Sequence, residues 1–221
     1  MLMLFDYDGV IVDSFDCLLG LCVRAQAEMG CGRPPVCQDL RTIENLSFAE
    51  LGRLIGVPEG RVGAYAGRIL ALQKTHWPVA FVPGMAGVLS DLARRHTVAV
   101  ITASDSETVA ASLRKGGVGA AVAAVLGGEL GTGKAERIAT IRARYGISCG
   151  DAWMTGDAIS DIREGKRAGV GTIAVAWGYQ DRALLANEQP DFLIDSPSDL
   201  LRIASGEARP PRGRRAAPDG K

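Results

Sequence analysis

The chain is poor in the features that mark several common protein classes. Lys plus Arg number 25 and so do Asp plus Glu, so no net charge draws the protein to a nucleic acid. No apolar run approaches the roughly 20 residues that a membrane-spanning helix needs. No basic segment precedes the apolar N-terminal run, so a secretory leader is not expected. The five cysteines, Cys17, Cys22, Cys31, Cys37 and Cys149, are odd in number and include no C-x-x-C pair. That argues against a disulfide framework and a zinc site, and a reducing cytoplasm is the expected location. Aromatic residues are few. The two histidines, His76 and His96, have no second metal-ligating residue at useful spacing.

What the chain does have begins at its second residue. Leu2 to Phe5 is a continuous apolar run, as expected of a strand buried on both faces of a parallel sheet. It leads directly into Asp6 and Asp8. Side chains alternate along an extended segment, so these carboxylates project to one side. Two carboxylates that close raise each other's pKa unless a cation or hydrogen bonds intervene. Mg²⁺ suits such an oxygen-rich site. Gly9 permits a sharp turn immediately afterwards.

From Ser14 to about His76 the chain reads as all-helical. Phe15, Leu18, Leu19, Cys22, Val23 and Ala27 recur at helical spacing, and Gly30 lies past the end. Cys31 to Arg41, with Pro34 and Pro35, is expected to be a loop. Further helices are expected from Ser47 to Ile55 and from Pro58 to about Gln73. Beyond Ala80 strands and helices alternate. Strands are expected at Thr97–Ile101, Ala121–Leu126, Ala152–Thr155, Thr172–Ala176 and Phe192–Ile194. Helices are expected after Val82-Pro83-Gly84 to about Arg95, and at Asp105–Lys115, Lys134–Tyr145, Ile159–Ala168 and Leu200–Ala204. That alternation predicts an α/β fold with a doubly wound parallel sheet. Residues 208–221, rich in Pro, Arg and Gly, have almost nothing to bury and are expected to be disordered.

Three more clusters stand at expected strand ends. Thr102-Ala103-Ser104 offers hydroxyls and free N–H groups at a helix start, which suits a phosphate; capping by Ser104 or Asp105 is the alternative. Lys134 opens a helix, where its charge opposes the helix dipole. Asp157 and Asp161 are four residues apart, so both can reach one site; complementing a helix N-terminus is the alternative. Arg33, Arg41 and Asn45 in the helical block, and Arg209, Arg212, Arg214 and Arg215 in the tail, are read as solvated by default.

The first stretch, Asp6-Tyr7-Asp8-Gly9-Val10-Ile11-Val12-Asp13-Ser14, resembles the D-x-D-G-x-x-x-D-S motif of the haloacid dehalogenase superfamily, in the subgroup similar to phosphoglycolate phosphatases. Thr102 matches the second motif. Lys134 matches the third, with Lys115 as the fallback, although the usual K-P-x-P form is replaced by Lys134-Ala135-Glu136-Arg137. Gly156-Asp157-Ala158-Ile159-Ser160-Asp161-Ile162 resembles the fourth. The phrases AVAWGYQ and DFLIDSPSDL are also similar to that subgroup.

The resemblance implies a Rossmann-like core of residues 1–13 and 80–207 interrupted by a small helical cap, 14–79. It implies a Mg²⁺-dependent, cytoplasmic phosphatase acting on a small phosphorylated metabolite through an aspartyl-phosphate. Asp6 would be the nucleophile and Asp8 the acid–base. Thr102, Ala103 and Lys134 would bind the phosphate. Asp6, the backbone carbonyl of Asp8, and Asp157 would hold the metal, and Asp161 would orient Lys134 or a water on the metal. A phosphomutase with the same core residues, and a phosphoryl-accepting regulatory module, are the alternatives.

Overall fold

A computed structural model of the chain describes residues 1–43, 47–75 and 80–208. Asn45, His76, the tail beyond Ala208 and its four arginines lie outside the described residues. The chain divides into two compact units, one comprising Met1–Val12 with the chain from Phe81 onward, the other Asp13–Ala80.

In chain order the elements are β1 (Leu2–Phe5), β2 (Val12–Asp13), α1 (Phe15–Met29), α2 (Cys37–Thr42), α3 (Phe48–Leu54), α4 (Glu59–Thr75), β3 (Ala80–Phe81), α5 (Met85–Ala93), β4 (Thr97–Ile101), α6 (Ser106–Lys115), β5 (Ala124–Leu126), α7 (Lys134–Tyr145), β6 (Ala152–Gly156), α8 (Ile159–Arg167), β7 (Gly171–Val175), α9 (Arg182–Asn187), β8 (Phe192–Ile194) and α10 (Asp199–Ala204). Among the described residues, no helix is long and apolar enough to cross a membrane.

The first unit is built on a parallel sheet in the order β5-β4-β1-β6-β7-β8, the α/β architecture expected from the alternation. β1 lies inside the sheet because all four of its side chains are apolar and it can be buried on both faces. Leu2 and Leu4 point to one face, against Ala99, Ile101, Ala152 and Met154 of the neighbouring strands and Ile138 and Ile141 of α7. Truncating a fully buried leucine such as Leu4 to alanine costs about 2–5 kcal/mol. From β1 the chain proceeds to β4 and β5 on one side, then returns to β6, β7 and β8 on the other. The order therefore reverses at β1, and a crevice opens beyond the carboxyl ends of β4, β1 and β6.

The second unit is helical. α4 packs on α1 and α3, and the buried Tyr65 donates its hydroxyl to the Cys22 carbonyl at 3.2 Å. The expected loop at Cys31–Arg41 is corrected here: α2 occupies its second half. The Asp39 carboxylate accepts the Val36 N–H at 2.8 Å and both guanidinium nitrogens of Arg33 at 2.6 Å. These bonds fix the first turn of a helix too short to show a period. In the first unit the strand expected from Ala121 starts only at Ala124, after a tight 3-10 turn at Gly119–Ala121. The short α9 was not expected.

Candidate active site

β1 hands the chain to the crevice through Asp6, whose N–H continues the sheet by donating to the Thr155 carbonyl at 2.9 Å. Tyr7 turns the other way and is buried. Its hydroxyl donates to Ser112 Oγ on α6 at 2.6 Å, and burial pushes the phenol up to about 12. Pinned by this ring, Asp6 and Asp8 both remain half-buried at the crevice. The chain then closes a tight turn in which Ile11 N–H donates to Tyr7 at 3.0 Å.

The carboxylates meet different partners. Lys134, the first residue of α7, places Nζ 2.7 Å from Asp6 Oδ2 and 2.5 Å from Asp161 Oδ1. Burial alone would lower the lysine's pKa, but the charges of Asp161 and Asp6 outweigh it and hold the ammonium above its ordinary value. Asp8 Oδ2 accepts the Ser104 hydroxyl at 2.6 Å.

Asp157 and Asp161 follow β6 and are nearly inaccessible. Carboxylate oxygens of Asp6, Asp157 and Asp161 all lie within 4.8 Å of one another. Burial, then the charges of Asp161 and Asp6, raise Asp157 well above the usual carboxylate range. Burial also raises Asp161, to about 6, against the opposing pull of Lys134.

The loop after β7 encloses Asp157, a role that no periodicity or spacing signals. Tyr179 N–H donates to Asp157 Oδ2 at 2.7 Å, and Gln180 Oε1 accepts the Ile159 N–H at 2.6 Å. Trp177 Nε1 donates to the Val10 carbonyl at 3.3 Å and ties this loop to the one after β1. A Cβ on Gly178 would stand 2.2 Å from Asp157 Cβ. AVAWGYQ thus carries structural work that its residue types alone do not declare.

Beyond β4, Thr102 is buried and its Oγ1 accepts the Ser104 N–H at 3.0 Å. Ala103 is exposed. Asp105 caps α6 by accepting the Thr108 N–H at 2.9 Å, so Ser104 is left to bond Asp8. Lys115 lies exposed at the far end of α6. His96 is half-buried and burial lowers its pKa. In the helical unit Arg33 is paired with Asp39, and the Arg41 guanidinium lies 5.0 Å from the Phe15 ring centre.

Comparison with known proteins follows the same lines. Residues 3–175 match the model of the haloacid dehalogenase-like hydrolase family. A phosphoglycolate phosphatase from Synechococcus elongatus is 26% identical over 205 residues, covering 92% of this chain and 96% of that protein. The pyrophosphatase PpaX of Bacillus anthracis is 47% identical over 55 residues, which is 25% of this chain and 26% of that protein. The solved structure of a haloacid dehalogenase-like family hydrolase from Streptococcus pneumoniae superimposes with a TM-score of 0.81 at 18% identity, covering 91% of this chain and 97% of the other.

Proposed function

The chain belongs to the haloacid dehalogenase-like hydrolases, and we propose that within them it is a Mg²⁺-dependent phosphatase of a small phosphate monoester, of the phosphoglycolate or sugar-phosphate type. The observation that carries this reading is the division between the two aspartates after β1. Asp6 is held by Lys134 beside two further carboxylates, whereas Asp8 is held apart by Ser104. That division supports Asp6 as the nucleophile and Asp8 as the acid–base.

Asp6 attacks phosphorus and forms an aspartyl-phosphate as the ester oxygen departs. Asp8 gives that oxygen its proton, then takes a proton from the water that hydrolyses the aspartyl-phosphate. Ser104, bonded to Asp8 Oδ2, fixes the orientation of the carboxyl group through both steps. Lys134 and the N–H groups around Thr102 and Ala103 stabilise the equatorial oxygens as charge spreads over them. Asp161 holds Lys134 in place from behind.

The donor set suits a hard divalent cation. Three carboxylates cluster here and Lys134 pairs with two of them, Asp6 and Asp161; burial first, and the neighbouring carboxylates with it, raise Asp157 and Asp161. Asp6, Asp157 and the Asp8 carbonyl are the groups that would hold it. Bound there, Mg²⁺ would neutralise negative charge as the phosphoryl group is transferred. The named activity of the Synechococcus relative supports phosphoglycolate as the first substrate to try.

The test is a panel of phosphate monoesters, including phosphoglycolate, sugar phosphates and nucleotides, assayed with Mg²⁺. Release of inorganic phosphate from at least one supports the reading. Conversion of a sugar phosphate to its isomer without phosphate release assigns a mutase instead.

A further inference from the structure

We propose that Arg137 and Glu164 are positioning residues of this site, holding the Thr102–Ser104 loop and the first turn of α7 so that backbone N–H groups and Lys134 converge on one phosphoryl group. The proposal rests on the phosphatase reading and deepens it.

Arg137 stands three residues after Lys134, on the opening turn of α7, and is only 6% exposed. A cation there opposes the helix dipole and gives up most of its hydration, both unfavourable. A buried position in a helix facing a sheet is ordinarily aliphatic, as Ile138 and Ile141 are on the same helix. The guanidinium is instead occupied. Nη1 donates to the Thr102 carbonyl at 2.5 Å and to the Leu126 carbonyl at 3.2 Å. These carbonyls stand at the ends of the adjacent parallel strands β4 and β5, so one guanidinium nitrogen bridges the starts of the two loops that follow, beside the Thr102 N–H that donates to the Leu126 carbonyl at 3.1 Å.

Those loops are bound to each other again just beyond. Gly128 N–H donates to the Ser104 carbonyl at 3.0 Å, and Glu129 Oε2 accepts the Ser106 N–H at 3.1 Å. Asp6, Glu129 and Glu164 are the acids whose charges act on the guanidinium. Ser104, held between these contacts, carries the hydroxyl that bonds Asp8.

Glu164 acts on the same helix from the other side. Its Oε2 accepts the Ala135 N–H at 2.9 Å, one of the amides that an α-helix start leaves without an internal partner. It also receives Arg167 Nη2 at 2.8 Å. Glu164 lies on α8 one turn after Asp161, which binds Lys134 Nζ. α8 therefore grips the start of α7 at two points, the Lys134 ammonium and the adjoining backbone amide.

The experiment compares Arg137→Lys, Arg137→Met and Glu164→Ala with wild type, using p-nitrophenyl phosphate and Mg²⁺. Thermal unfolding and direct binding of orthovanadate and inorganic phosphate are measured on the same samples. Arg137→Lys keeps the charge but not the reach and fixed direction of the guanidinium Nη1. Its kcat is expected to fall by about tenfold or more, and that of Arg137→Met by about 100-fold, because small misplacements of orienting groups act on the transition state. KM and phosphate affinity should stay within about threefold while orthovanadate affinity falls with kcat. Glu164→Ala, altering a partly exposed side chain, should lower kcat several-fold in a fully folded protein.

Folded variants with wild-type kcat overturn the proposal. Loss of kcat that only follows loss of folded protein, or failure of both Arg137 variants to fold, assigns Arg137 to stability and overturns its positioning role. A wild type without phosphatase activity overturns the functional reading itself. An active wild type with unaffected variants overturns this proposal alone.

Discussion

A Cβ atom on Gly9 would stand 2.1 Å from Asp157 Oδ2, the same oxygen that accepts the Tyr179 N–H. Gly9 also has a φ of +74°, a conformation that L side chains rarely adopt. The turn after the first aspartates and the acid after β6 are therefore built around each other. Gly9→Ala should displace Asp157 and reduce kcat by about 100-fold, with a clear rise in the Mg²⁺ concentration giving half-maximal activity. Gly178→Ala, whose Cβ would crowd the same side chain from the other loop, should act in the same direction. A Mg²⁺ titration of each variant checks this, and an unchanged midpoint would separate Asp157 from the metal.

Lys134→Ala should lower kcat by about 10²-fold or more, because its ammonium reaches both Asp6 and Asp161. Lys115→Ala, at the exposed end of α6, should leave kcat within about twofold. Steady-state kinetics on both variants decide this. The reverse ranking would place the phosphoryl-binding lysine elsewhere.

Without metal, the folded protein holds Asp161 at about 6 rather than 3.8, and raises Asp157 in the same direction. Folding therefore favours the protonated acids. The stabilising contribution of Asp161 is present at low pH and is lost as pH rises from about 4 through about 6, and that of Asp157 is likewise lost on raising the pH. Mg²⁺ requires the deprotonated carboxylates, so it should restore most where that loss is greatest. In EDTA the contribution of this cluster to Tm should decline across that window. The gain in Tm on adding Mg²⁺ should be larger at about pH 7.5 than at about pH 5. Thermal melts at both values, with and without Mg²⁺, measure it; equal gains would contradict the assignment of these acids to a cation.

β1 and its aspartates were legible in the sequence because a buried parallel strand needs an unbroken apolar run and its exit is marked by charge. α7 and α8 were legible from their period and closing glycines. α2 was not, because six residues hold too little period and its first turn depends on the pairing of Arg33 with Asp39 across Pro34 and Pro35. The enclosure of Asp157 by Gly178 and Tyr179, and of the α7 start by Glu164, arises where separate loops meet beyond the sheet. Local residue patterns carry no trace of such meetings. Ser104 was legible as part of a phosphate-suited cluster or as a cap, but not its bond to Asp8, because Asp105 caps α6 instead and the partner lies 96 residues away in the chain.

The covalent role of Asp6 is tested most directly by trapping the phospho-enzyme. Asp8→Asn removes the base of the second step but spares the first for p-nitrophenyl phosphate, whose leaving group departs without a proton. This variant should give a burst of nitrophenolate followed by slow turnover. Mass spectrometry of the quenched protein should then find one phosphoryl group on the peptide containing Asp6, and none when Asp6→Asn is added. Phosphate release by a folded Asp6→Asn protein, or a phosphoryl group on any other residue, would contradict the account.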